Sequence, residues 1–172
     1  MAKDKKKARF IKPPNRLREK VGYGGIDPKR LAQGSEFVLK NDFDFEPYAR
    51  NFLEILENTI QDIHDGKYEG KEAVDILSRP VMELKGNGGM FGYRLISEIA
   101  DIVLNFLENI SELNEDAFEI LEVHQKTLKI VMANRLRGDG GQVGKELARE
   151  LFQACNRFYR KYDVVPQGVS IT

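Results

Sequence analysis

The chain has 172 residues, enough for one domain with a self-sufficient core and some additional chain. Its single cysteine excludes a disulfide framework and any cysteine-cluster site for zinc or iron–sulfur, and a reducing, cytoplasmic location is expected. No apolar run approaches the roughly 18 residues that span a bilayer, and no apolar segment follows the basic N-terminus to form a secretory signal. The neutral net charge hides an asymmetry. Residues 1–30 carry 11 basic and 3 acidic side chains, a net +8 that the remaining residues balance.

Residues 1–44 are predicted to form a largely irregular basic arm. The lysines and arginines between Lys3 and Lys12 repel one another, and Pro13-Pro14 disfavours a helix there. Glycines and a proline interrupt the chain every few residues between positions 22 and 28. Residues 1–30 could contact nucleic acid, an anionic lipid surface or an acidic protein face. Nucleic acid is not favoured, because aromatic residues are scarce and no DNA-binding helix motif accompanies the arm.

From residue 45 onward, apolar residues recur at three- and four-residue steps, which is typical of helices packed on one face. Five segments show this pattern, at about 45–66, 70–85, 91–110, 115–138 and 143–159, and Asn114 is the expected N-cap of the fourth. No segment alternates with period two, and the connections are short. The sequence therefore predicts an all-α, up-and-down four-helix bundle with an additional supporting helix over residues 45–162. Residues 163–172 are expected to form an extended tail.

The second segment places a methionine where a surface helix ordinarily has a charged residue. On a helical wheel, its apolar residues form one buried stripe: Ala73, Ile76, Leu77, Pro80, Val81 and Leu84. Met82 falls almost opposite the centre of this stripe, and Ser78, Lys85, Gly86 and Gly89 share its side of the helix. Glycine within a helix costs about 0.5–1 kcal/mol relative to alanine. Two glycines on one exposed face indicate that another molecule approaches the backbone closely.

The residues around Met82 resemble a known signalling family. Met82-Glu83-Leu84-Lys85-Gly86, followed by Phe91-Gly92 and Ile96, is similar to the motif of the histidine-phosphotransfer (HPt) domains of bacterial phosphorelays. That motif reads His-x-Leu-Lys-Gly, then five or six residues to a hydrophobic-Gly pair, then an apolar residue four positions beyond that glycine. The order of helices over about residues 45–160 also resembles that of HPt domains. The basic arm has no counterpart in the family.

The resemblance implies an HPt-like fold and a surface on which receiver domains or sensor-kinase domains dock. The position of the phosphoacceptor histidine is occupied by Met82, whose thioether has no basic nitrogen to accept a phosphoryl group. The expected function is a non-catalytic module of a two-component, phosphorelay or chemotaxis-type system. It would bind its partner through Ser78, Met82, Lys85, Gly86 and Gly89. No enzymatic activity, cofactor or metal site is expected.

Two alternatives remain open at the level of sequence. His124 lies within the apolar stripe of the fourth segment, which favours a core or dimer-interface residue over a displaced phosphate carrier. His64 lies near the end of the first segment, where its charge would oppose the helix dipole favourably. The first alternative is thus an active phosphocarrier that uses His124. The second is a structural helical adaptor whose arm binds polyanions, and a homodimer is compatible with each hypothesis.

Overall fold

The computed structural model describes residues 19–20, 27–40 and 44–167, with residues 38–40 described by their backbone alone. The chain divides into two units, Met1–Phe37 and Val38–Thr172. The described residues form six longer helices and no strand, so the all-α prediction is confirmed for this part of the chain. The helices are α1 (Pro28–Lys40), α2 (Glu46–His64), α3 (Gly70–Met90), α4 (Arg94–Asn109), α5 (Glu115–Ala133) and α6 (Gly141–Lys161).

The prediction of an irregular arm is wrong for α1. Its start is defined locally, because the Asp27 carboxylate accepts a hydrogen bond from the Lys29 amide at 2.9 Å and Pro28 occupies the first helical position. Residues 28–37 are all exposed, so the scarcity of apolar residues indicated the lack of a core but not the lack of a helix. The arm prediction for residues 1–18, 21–26 and 41–43 lies outside the described residues.

Helices α2 to α5 contact one another in a cyclic order, and α6 packs on α4 and α5. The pairs in contact are α2 with α3, α3 with α4, α4 with α5, and α5 with α2, and the contact between α3 and α4 is the most extensive. Each of the helices α2 to α6 contributes an apolar stripe to one continuous core. Phe106 lies at its centre, fully buried, with its ring 5.1 Å from that of Phe158 and 5.9 Å from that of Tyr159.

Polar contacts establish the directions of the helices. Lys129 at the end of α5 pairs with Glu57 of α2 at 2.6 Å, whereas Glu115 at the start of α5 lies near His64, the last residue of α2. Helices α2 and α5 are therefore antiparallel. Asp116, at the start of α5, pairs with Lys161 at the end of α6, so α5 and α6 are antiparallel as well.

The observed ends of α3, α4 and α5 differ from the predicted ends. Local turns and hydrogen bonds in the loops determine where these helices begin and end. Helix α3 continues through the glycine-rich stretch to Met90 and ends where Gly92 has φ +81° and the Tyr93 amide donates to the Gly88 carbonyl at 2.7 Å. Helix α4 therefore begins at Arg94 instead of at about residue 91. Helix α5 ends at Ala133 and not near Gly138, because Arg135 has φ +49° and the Leu136 amide donates back to the Val131 carbonyl at 3.1 Å.

Two smaller predictions have clear outcomes. Asn114 is the N-cap of α5, since its side chain accepts a hydrogen bond from the Ala117 amide at 3.0 Å, as predicted. The tail is described to residue 167 and has no regular secondary structure beyond Asp163. Its Gln167 amide donates to the Asn109 side chain at 2.6 Å, which holds this segment beside the end of α4.

Candidate docking surface on helix α3

Met82 projects from the solvent-exposed side of α3. Its side chain is 58% exposed, while the residues on the opposite side of the helix form part of the core: Ala73, Leu77, Val81 and Leu84. The helical phase predicted for Met82 is therefore confirmed. We refer to Ser78, Met82, Lys85, Gly86 and Gly89 together as the α3 surface. All five lie within one helix, which gives them a rigid backbone.

Gly86, Gly88 and Gly89 of this helix differ in how much space surrounds them. A Cβ added at Gly88 would lie 3.0 Å from the Ser97 hydroxyl and 3.1 Å from the Ile96 side chain, so α4 approaches too closely for a larger residue. A Cβ at Gly89 would lie 3.3 Å from the same hydroxyl. Among the residues that the structure describes, a Cβ at Gly86 would meet nothing within 4 Å. The packing of these residues explains Gly88 and part of Gly89, but it does not explain Gly86.

Two alanine substitutions separate these roles. We expect Gly86→Ala to raise the free energy of unfolding by about 0.5–1 kcal/mol, because alanine is the better helix former and the site is open. We expect Gly88→Ala to lower it by about 1 kcal/mol, because overpacking against Ile96 and Ser97 exceeds the gain in helix propensity. Urea denaturation of both variants tests the pair, and destabilisation by Gly86→Ala would contradict the account.

Lys85 makes two contacts with helix α4 that the sequence did not predict. Its ammonium group pairs with the Asp101 carboxylate of α4 at 2.5 Å, and the Ser97 hydroxyl donates to the Lys85 backbone carbonyl at 2.5 Å. Both charged side chains are about half exposed, at 48% each, so the pair remains accessible to solvent. An exposed ion pair of this kind contributes only about 0.2–1 kcal/mol. A partner carboxylate can therefore compete with Asp101 for Lys85.

Sequence reasoning missed three residues beside the α3 surface. Ser97 and Asp101 come from α4, and their proximity to Lys85 depends on tertiary packing. Met90 is 56% exposed and lies eight residues, about two turns, after Met82, with Gly86 midway between them. The helical wheel could have identified Met90 if the glycine-rich stretch had been read as helix. Ser78 is half-buried and donates to the Val74 carbonyl at 2.8 Å, so it forms the edge of the surface.

His124 is enclosed in the core, which contradicts the hypothesis that it carries phosphate. It is 1% exposed, and its Nδ1 donates to the Ile120 carbonyl at 2.7 Å. Because a carbonyl only accepts hydrogen bonds, this contact assigns the proton to Nδ1 and leaves Nε2 facing the Cys155 sulfur at 3.9 Å. No kinase or receiver could reach this imidazole. Cys155 is itself 2% exposed and acts as a small packed side chain.

The burial of His124 predicts a pH dependence of stability. Desolvation lowers the pKa of this imidazole from its ordinary value of 6.5, although the bond to Ile120 opposes the shift. The unfolded state therefore binds the proton first, so stability falls as the pH drops below about 6.5 and continues to fall toward the folded-state pKa. We expect His124→Gln to flatten the curve of unfolding free energy between about pH 7 and pH 5. A slope that His124→Gln leaves unchanged would contradict this account.

His64 is the last residue of α2, as predicted, and it lies in a surface contact. Its Nε2 is 3.9 Å from the Glu115 carboxylate, and its ring packs edge-on against Phe118 at 5.3 Å. His64 is at the opposite end of α2 from Glu46. Hydrogen bonding to Arg50 and the charge of Arg135 lower the pKa of the Glu46 carboxyl. His64 therefore lies away from the turn between α3 and α4, which is beside the Glu46 end.

Comparison with protein-family models, with curated proteins and with solved structures gives no match to this chain. No helix in the described part of the chain is both long and apolar enough to cross a membrane. Within residues 19–20, 27–40 and 44–167, no group of three His, Cys, Asp or Glu side chains is placed to hold a metal ion. The interpretation of the α3 surface therefore depends on the geometry of its own residues.

Proposed function

We propose that the chain is a non-catalytic, HPt-like docking module of a two-component or chemotaxis-type signalling system, acting in the cytoplasm. In this proposal, α2 to α5 form the four-helix bundle and α6 is the supporting helix. The partner is a receiver domain or a sensor-kinase domain that binds the α3 surface. The cyclic packing of α2 to α5 and the residues in register with the HPt motif support this view.

The exposed thioether of Met82 beside the open backbone at Gly86 is the observation that carries the proposal. A glycine in the middle of an exposed helix destabilises that helix, and among the described residues no atom lies within 4 Å of a Cβ added at Gly86 to explain the glycine. A partner that packs against the exposed backbone at Gly86 would explain why a glycine occupies this position. Met82 and Met90 are flexible and polarizable, and such side chains adapt well to an apolar surface presented by a partner.

The chemistry of the described histidines supports a binding role over phosphoryl transfer. Met82 has no nitrogen nucleophile, and the imidazole of His124 is enclosed by α5 and α6. His64 is accessible but lies at the far end of α2 from the turn that follows α3. A partner seated on the α3 surface would therefore meet no histidine.

The proposal is tested by measuring binding between the full chain and a panel of receiver and kinase domains, with each receiver present unphosphorylated and phosphorylated. We expect at least one domain to bind and no radiolabelled phosphate to transfer to the wild-type chain. Failure of every domain to bind would overturn the docking proposal. A stable phosphate mapped to His64 would overturn the non-catalytic part.

A further inference from the structure

Helix α5 carries a second apolar stripe that faces solvent. Ile120, Val123 and Ile130 occupy one side of this helix with Thr127 between them, at successive spacings of three, four and three residues. This spacing is that of a helix–helix seam. Val123 is 44% and Ile130 59% exposed, whereas Ile120 and Thr127 are half-buried. The Thr127 hydroxyl donates to the Val123 carbonyl at 2.8 Å, so it could be covered without losing its partner.

The stripe borders a cleft between α5 and α6. The cleft has a volume of about 390 Å³, and its apolar walls include Ile120, Val123, Ala154 and Phe158. Glu119 and Arg157 stand at its rim, and within the described part of the chain neither makes an ion pair. We call the α5 stripe together with this side of α6 the α5–α6 face. None of the α3 surface residues belongs to it.

The α5–α6 face is self-complementary about its midpoint. Because His124 lies beside Cys155 and the helices are antiparallel, Gln125 and Ala154 are at nearly the same level. Ile120 and Ile130 are five residues on either side of Gln125. On α6, Glu146 and Glu150 precede the point midway between Gln153 and Ala154 by the same intervals at which Lys161 and Arg157 follow it, respectively. A two-fold axis at this level would exchange Ile120 with Ile130 and each of these two glutamates with a basic residue.

We propose that the α5–α6 face binds a second copy of this chain in an antiparallel arrangement. The two-fold axis places Ile120 of one copy against Ile130 of the other, and Val123 against Thr127. It also places Glu150 against Arg157 of the second copy, and Glu146 beside Lys161, which pairs with Asp116 of its own chain. A C2 interface requires the same patch on both copies to be self-complementary, and these residue pairs meet that condition. Among the described residues, the ion pair of Glu150 is with its neighbour Arg149 at 3.3 Å, and both side chains are exposed, so Glu150 can also accept Arg157.

Sedimentation of the full chain over a range of concentrations tests the apolar part of this interface. We expect a monomer–dimer equilibrium whose dissociation constant rises at least about tenfold in Val123→Glu, because two buried carboxylates would face the seam. Ile55→Glu is the matched control, since Ile55 is 43% exposed but lies on α2. A monomer up to about 1 mM would overturn the proposal. So would a dimer that Val123→Glu leaves intact or that Ile55→Glu weakens equally.

A charge exchange tests the two-fold geometry with the apolar seam intact. Glu150→Arg and Arg157→Glu should each weaken the dimer several-fold, because each places like charges together at two symmetric positions. The double variant Glu150→Arg/Arg157→Glu should restore the wild-type dissociation constant. Circular dichroism verifies that each variant is folded. Additive weakening in the double variant would overturn the antiparallel arrangement. Neither measurement uses a signalling partner, so failure of the dimer is distinguishable from failure of the docking proposal.

Discussion

Replacing Gly86 with arginine is expected to weaken binding of the partner domain by about 10- to 100-fold. The expected loss corresponds to about 1.4–2.8 kcal/mol, which is the size of a hot-spot effect. A Cβ at residue 86 has open space around it among the described residues, so the larger side chain should not disturb the fold. It would instead project between Met82 and Met90, where the proposal places the partner. Titration calorimetry with a domain identified by the binding screen measures the change.

Two control variants test whether the loss of affinity is specific to an arginine at position 86. Gly86→Ala adds one methyl group at the same position and should retain most of the affinity while stabilising the helix. Asn58→Arg places the same side chain on the exposed side of α2 and should leave affinity unchanged. Equal affinity of Gly86→Arg and the wild-type chain would contradict the site assignment. Equal losses in Gly86→Arg and Asn58→Arg would indicate a non-specific effect of charge. Gly89→Arg is a poorer probe, because Ser97 already crowds that position.

The helices of the second unit were predictable from apolar periodicity, whereas several of their ends were not. The three- and four-residue spacing determines which side chains can be buried together, and this holds over a whole helix. The end of α3 instead depends on a single turn, in which Gly92 adopts a positive φ and Tyr93 bonds back to Gly88. Helix α1 was missed for a different reason. Its start is determined by a local cap at Asp27, and local capping needs no core.

The candidate site was predictable only as far as helical phase determines it. Phase alone places Met82 in solvent and His124 in the core, and both outcomes agree with the observed exposure. The helical phase of α3 gives no information about the side chains of α4. The sequence therefore did not predict that Lys85 pairs with Asp101. It also could not separate Gly86 from Gly89, because only the position of Ser97 on α4 distinguishes an open glycine from a crowded one.

The central claim is that Met82 occupies the position of a phosphoacceptor histidine on an intact docking surface. Met82→His should therefore gain a phosphoryl group from a phosphorylated receiver domain that binds the wild-type chain. In that step, the imidazole nitrogen attacks phosphorus and the bond to the aspartyl oxygen breaks. The receiver carboxylate leaves, and the imidazole proton passes to solvent. The expected gain is from no label to stoichiometric, acid-labile label.

The matched control is Arg79→His, which places an imidazole on the exposed side of α3 one turn before Met82. The decisive measurement is transfer of radiolabelled phosphate from the bound receiver to the wild-type chain, Met82→His and Arg79→His. The account predicts label on Met82→His alone. Absence of label on Met82→His, or equal label on both histidine variants, would contradict the assignment of residue 82 to the phosphoacceptor position.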